Sequence, residues 1–126
     1  MRKQAAILIF VTAMLLSCRN YQERPTSADE IKELNKRIEV AHLENADWTN
    51  SPESIARNLF PAVSHDSGPK RYEVTKKSIS KSTCIVTVLE EGPIDDEVIG
   101  ERRTLELQAF TGRWKITDYH YSVKRR

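Results

Sequence analysis

Tyr72 and the run Asp118, Tyr119, His120 and Tyr121 are the residues of this chain whose types could build a polar, proton-handling pocket. A carboxylate or imidazole serves there as acid or base once burial and neighbours bring its pKa near the working pH. Alternation along a strand puts Asp118 and His120 on one face and Tyr119 and Tyr121 on the other. All four line one pocket only if a bulge intervenes. The competing reading makes the tyrosines amphipathic packing and leaves His120 on the solvent side. The five residues stand as a candidate ligand pocket, and none is assigned as catalytic.

Other constellations carry less. His42, His65 and His120 are dispersed and lack metal-ligand spacing, so no metal and no cofactor is assigned. Glu90, Glu91, Asp95, Asp96, Glu97 and Glu101 fall within 12 residues free of Lys and Arg. Such a hairpin could offer oxygens to Ca²⁺, but the spacing is not that of an EF-hand. A solvated turn, with Asp95 or Asp96 bonding local backbone, is the preferred reading. Lys70, Arg71, Lys76, Lys77 and Lys81 form the opposite pole. On an edge strand they guard against sheet-to-sheet pairing, or they face anionic headgroups. Cys84 sits in the apolar run 84–89 and reads as a small core residue. Phosphate-loop, nucleophile-elbow and zinc-protease motifs are absent from the sequence.

The elements that would hold these residues follow a distinctive start. Met1-Arg2-Lys3-Gln4 precedes an apolar run of 12 residues, Ala5 to Leu16. A cationic head and a short greasy stretch are the n- and h-regions of an export signal. A spanning helix needs about 20 apolar residues, so this run is short for one. Leu15-Leu16-Ser17-Cys18 ends it. A small residue before a cysteine at this place resembles the bacterial lipoprotein lipobox. The resemblance implies diacylglyceryl transfer to the Cys18 sulfur and cleavage after Ser17, giving a membrane partner through an N-terminal lipid. The alternative is an ordinary cysteine beside a standard cleavage site.

Removal of residues 1–17 leaves 109 of the 126 residues, one domain's worth of chain. The 20 Lys/Arg against 18 Asp/Glu become 18 against 18 once Arg2 and Lys3 go. A neutral chain is not the basic footprint of a nucleic-acid binder, so no nucleic-acid partner is expected. With 39% hydrophobic and 30% charged residues, the composition is that of a globular domain.

The expected organisation is a signal over 1–17, a lipidated Cys18 with a polar tether over 18–26, and one α+β domain over 27–126. Ser27 and Glu30 have capping-box spacing, and Ile31, Leu34, Ile38 and Ala41 recur at helical period, predicting a helix over 28–43. Ser51, Pro52 and Glu53 start a short second helix, which Pro61 stops. A loop is expected from Ala62 to Lys70. Beyond it the period becomes 2, predicting strands over 71–80, 83–90, 97–110 and 114–123. Gly100 inside the third marks a bulge or bend. Two helices on one face of a curved four-stranded antiparallel meander is the expected fold.

Helices followed by a meander with Gly112, Trp114 and Ile116 in its last strand resemble the cystatin-like and nuclear-transport-factor-like α+β superfolds. In enzymes of the latter group an acid and a tyrosine in the sheet concavity move protons beside a carbonyl. The segments 43–48, 55–60 and 95–102 are also similar to small bacterial proteins of uncharacterised function. The reading that follows is a lipid-anchored envelope module, in the cell membrane or outer membrane, that binds an envelope protein, peptide or small ligand. A small enzyme, or an inhibitor acting by edge-strand pairing, is the alternative. Arg19, in place of the Asp that favours inner-membrane retention, points to the outer membrane in a Gram-negative cell.

Overall fold

The computed structural model describes residues 20–63, 71–95 and 97–126. The signal segment 1–17, Cys18, Arg19, His65, Lys70 and Asp96 lie outside them.

Polar backbone at the N-terminal side opens the fold: Gln22–Arg24 is strand β1. Helix α1, Ala28–Leu43, follows, and its Ser27 cap and Glu30 make the reciprocal capping box that their spacing predicts. The Glu30 amide donates to Ser27 Oγ at 3.2 Å, and the Ser27 amide to Glu30 Oε1 at 3.3 Å. Asn45, with φ of 59°, turns the chain out of the helix. A short 3₁₀ turn, Asp47–Asn50, leads into α2, Pro52–Leu59, capped by Ser51 and started by proline. Strands β2 (Arg71–Ser78), β3 (Thr83–Glu91), β4 (Val98–Phe110) and β5 (Arg113–Arg125) then run as an antiparallel meander.

Among the described residues the sheet has five strands, in the order β1-β5-β4-β3-β2, not four. The extra strand comes from the stretch expected to be a tether. Gln22, Glu23 and Arg24 pair with Val123, Ser122 and Tyr121. Their extended form comes from this backbone pairing, which side-chain patterning does not announce. Strand boundaries also move: β2 stops at Ser78, and β5 reaches Arg125. The register slips between Val98 and Gly100, the bulge that Gly100 implied. A second slip, between Glu106 and Leu107, leaves Thr117 unpaired.

Both helices cover one face of the sheet, α1 over β5 and α2 over β2 and β3. Ile55, Ala56, Val86, Leu105 and Leu107 have no exposure at all, and Val88 and Ile116 have almost none. The small side chain of Cys84 is buried among them. Burial raises its thiol pKa, which keeps it unreactive.

The free side of β5 is closed by side chains. Asn35 of α1 donates its Nδ2 to the Ile116 carbonyl, and the Ile116 amide donates to Asn35 Oδ1, both at 2.8 Å. Thr26 Oγ1 donates to the Tyr119 carbonyl at 2.8 Å. An amide thus does the work of a neighbouring strand. Asn35→Ala is expected to lower unfolding free energy by about 1–3 kcal/mol, since it orphans a part-buried amide and carbonyl. Urea titration reads this, and a change below experimental error contradicts it.

Candidate functional site

Register places the helix-covered face in rows. Val86, Leu105 and Tyr119 lie across one level, Val88, Arg103 and Tyr121 across the next, and Tyr72, Glu90, Glu101 and Val123 across the last. The first is core. Moving toward the β1 end, this same face turns charged.

Arg103 is the centre of that end. Its guanidinium lies 4.8 Å from the Phe60 ring and 4.7 Å from the Tyr121 ring, and its Nη1 is 2.7 Å from Glu101 Oε2. Phe60 stacks on Tyr119 at 5.7 Å. Burial alone lowers the Arg103 pKa, but Glu101 and the tyrosines outweigh it and raise it, so the cation is permanent. Arg103 Nε is buried without a hydrogen-bond partner among the described residues. Tyr72 Oη donates to the Phe60 carbonyl at 2.8 Å, pinning the end of α2 to β2. Glu90, 3% exposed, accepts the Val63 amide at 2.8 Å. Burial raises the pKa of Tyr72, Tyr119 and Tyr121, so all three stay neutral phenols.

Beyond this cluster the start of α1 and the 95–98 turn border the face, with Glu30 contributing to the rim. An open groove of about 850 Å³ runs there, with Tyr121 and Val123 in its lining and Arg24, Glu30, Asp95, Glu97 and Arg125 around them. Arg125 is paired with Glu97 at 2.8 Å. Asp95 Oδ1 accepts the amides of Glu97 and Val98 at 2.8 and 2.7 Å, the local turn chemistry expected of the acidic hairpin. A smaller cavity, about 340 Å³, lies at the far end between Ile38, His42, Phe110 and Trp114.

The five residues singled out in the sequence do not share a pocket. Tyr72, Tyr119 and Tyr121 are on the helix-covered face; Asp118 and His120 are on the other. The bulge falls at Thr117, before the segment, so alternation across 118–121 is intact and the faces stay separate. His120 has two acidic partners: Nδ1 is 2.8 Å from Glu23 Oε1, and Nε2 is 3.1 Å from Asp118 Oδ2. Glu23 comes from β1, in the supposed tether, which is why sequence reasoning missed it. Nearby, Tyr21 crosses the same face. Its Oη donates to Glu91 Oε2 at 3.0 Å, Arg102 stacks on its ring at 4.7 Å, and a Cβ at Gly100 would sit 2.7 Å from that Oη.

His120 ties β1 to β5 in a pH-dependent way. Burial lowers its pKa, but the Glu23 hydrogen bond and the Asp118 charge outweigh that and raise it above the ordinary 6.5. A raised folded-state pKa means stability that is fully present below 6.5 and lost as pH rises through the higher value. The melting temperature is therefore expected to fall across that window in the wild type, and to fall less in His120→Gln. Equal slopes in the two proteins contradict the assignment.

Of the basic pole, Arg71 bonds Glu73 and Glu91 at 3.0 and 2.9 Å, and Lys76 lies 3.6 Å from Glu53. All three strand residues of the pole, Lys77 included, are on β2, the edge of the sheet. Among the described residues no group of His, Cys, Asp or Glu is arranged to hold a metal, and no helix is long and apolar enough to cross a membrane. No family model, curated protein or solved structure matches this chain.

Proposed function

We propose that this chain is a cell-envelope lipoprotein in which a lipid on Cys18 holds an α+β domain at a membrane, facing the periplasm or exterior, and that the domain acts by binding. The anchor half of the reading is supported by the short apolar run ending in Ser17-Cys18. Within the α+β class, we read the fold as cystatin-like or nuclear-transport-factor-like, on the strength of two helices that precede a long-stranded meander.

The binding half is carried by one observation: the open groove at Tyr121, where charges of both signs surround apolar side chains. Ligand sites commonly combine such apolar surface with a few placed polar groups. The acid-base candidates are already engaged elsewhere, His120 between Glu23 and Asp118 on the opposite face, which favours binding over proton transfer. An envelope protein, a peptide or a small ligand fits this role.

Purification of the tagged protein from its membranes, with mass spectrometry of the lipids and proteins that accompany it, tests the reading. A specific companion is expected with the wild type and is lost from Tyr121→Ala. A second reading, edge-strand pairing, is favoured by β2, whose outer side carries no strand among the described residues. A companion retained by Tyr121→Ala overturns the groove reading in favour of that edge.

A further inference from the structure

We propose that the groove holds the headgroup of a phospholipid bearing both a phosphate and a primary ammonium, a phosphoethanolamine, drawn from the bilayer to which the chain is attached. This deepens the lipid-anchor reading and rests on it.

Position comes first. Because β1 runs antiparallel to β5 with Gln22 beside Val123, the start of β1, the end of β5 and the start of β4 share one end of the sheet. The groove is at that end. Cys18 precedes Arg24 by six residues, which span at most about 20 Å when extended. A headgroup layer is about 5–8 Å thick on each side of the hydrocarbon. An acyl chain on Cys18 therefore brings the groove within reach of neighbouring headgroups. The pairing of β1 leaves little slack to carry it away.

Chemistry then selects the headgroup. Arg24 is engaged by no ion pair among the described residues and lines the groove, so it is the partner for a phosphate. Arg125 adds positive charge, although Glu97 already holds it at 2.8 Å. Glu30, Asp95 and Glu97 line the same groove and repel a purely anionic ligand such as free phosphate or phosphoglycerol. They accept hydrogen bonds from a primary ammonium, which a quaternary ammonium cannot donate. Tyr121, with Pro25 and Val98, supplies apolar surface for the glycerol and first methylenes. The volume of about 850 Å³ accommodates such a group.

The test uses the mature protein purified in a neutral sugar detergent and titrated with dihexanoylphosphatidylethanolamine. The Tyr121 ring and Arg24 side-chain NMR signals are expected to shift saturably. The choline analogue and inorganic phosphate are expected to leave them nearly unmoved. Arg24→Gln is expected to weaken binding about tenfold or more, from loss of a charge-assisted contact, with an unchanged melting temperature because Arg24 is exposed. Absence of a saturable shift overturns the proposal, as does an equal response to the choline analogue or to inorganic phosphate. The anchor reading fails separately, when Cys18 carries no lipid. Headgroup binding by an unacylated chain leaves the groove assigned and removes only the anchor.

Discussion

Cys18→Ala is expected to abolish incorporation of labelled palmitate and to leave the chain longer by residues 1–17. The effect is all-or-none because the thiol is the only group at that position able to carry the acyl glycerol, and cleavage of a lipobox follows its modification. One acyl chain gives marginal membrane residence and two or three give very slow release, so under the proposed attachment the lipid sets where the domain resides. Cys84 provides the internal control. Its thiol is buried in the core, so Cys84→Ala retains the label while Cys18→Ala loses it. Labelling that survives Cys18→Ala contradicts the assignment.

Leu105→Ala is expected to cost about 2–5 kcal/mol, the range for deleting a fully enclosed leucine and leaving a cavity. Leu105 is 0% exposed and lies between Val86 and Tyr119 in the middle of the sheet. Domains of this size are stable by about 5–15 kcal/mol, so one substitution removes a large share of the total. Each kcal/mol moves the melting temperature by roughly 4–8 °C in a domain near 100 residues, which makes the loss visible in a thermal scan. Leu43→Ala is the matched comparison. That side chain is 66% exposed, and its truncation is expected to stay within about 0.5 kcal/mol. Equal losses at the two positions contradict the packing described for the core.

The place of Leu105 was legible in the sequence, since Leu105 and Leu107 share a parity within a strand pattern. Helix α1 was legible to the residue because cap, first-turn acids and apolar period all agree over 28–43. Strand β1 was not. Gln22-Glu23-Arg24 has no apolar face, and only pairing with Tyr121, Ser122 and Val123 makes it a strand. The same omission hid Glu23, and with it the acidic partner that His120 finds across the sheet.

Arg103 was hidden for a different reason. A charged residue in a strand ordinarily faces solvent, and Glu90 and Glu101 stand in sequence at the two ends of the acidic run. Parity carried the missing signal: Glu101 and Arg103 share the face of Leu105 and Leu107, and Glu90 shares that of Val86 and Val88. Charges that continue an apolar stripe onto one face belong to the end of a core, where Phe60 and Tyr121 sandwich the guanidinium. The split of Asp118 and His120 from the tyrosines followed directly from alternation. It separates the proton-handling groups from the groove.

Intact mass spectrometry of the protein extracted from its own membranes decides between an anchored and a free domain. The expected species is residues 18–126 with a diacylglyceryl thioether on its first residue. A chain of unmodified mass, whether it starts at Met1 or at Cys18, contradicts the proposed attachment.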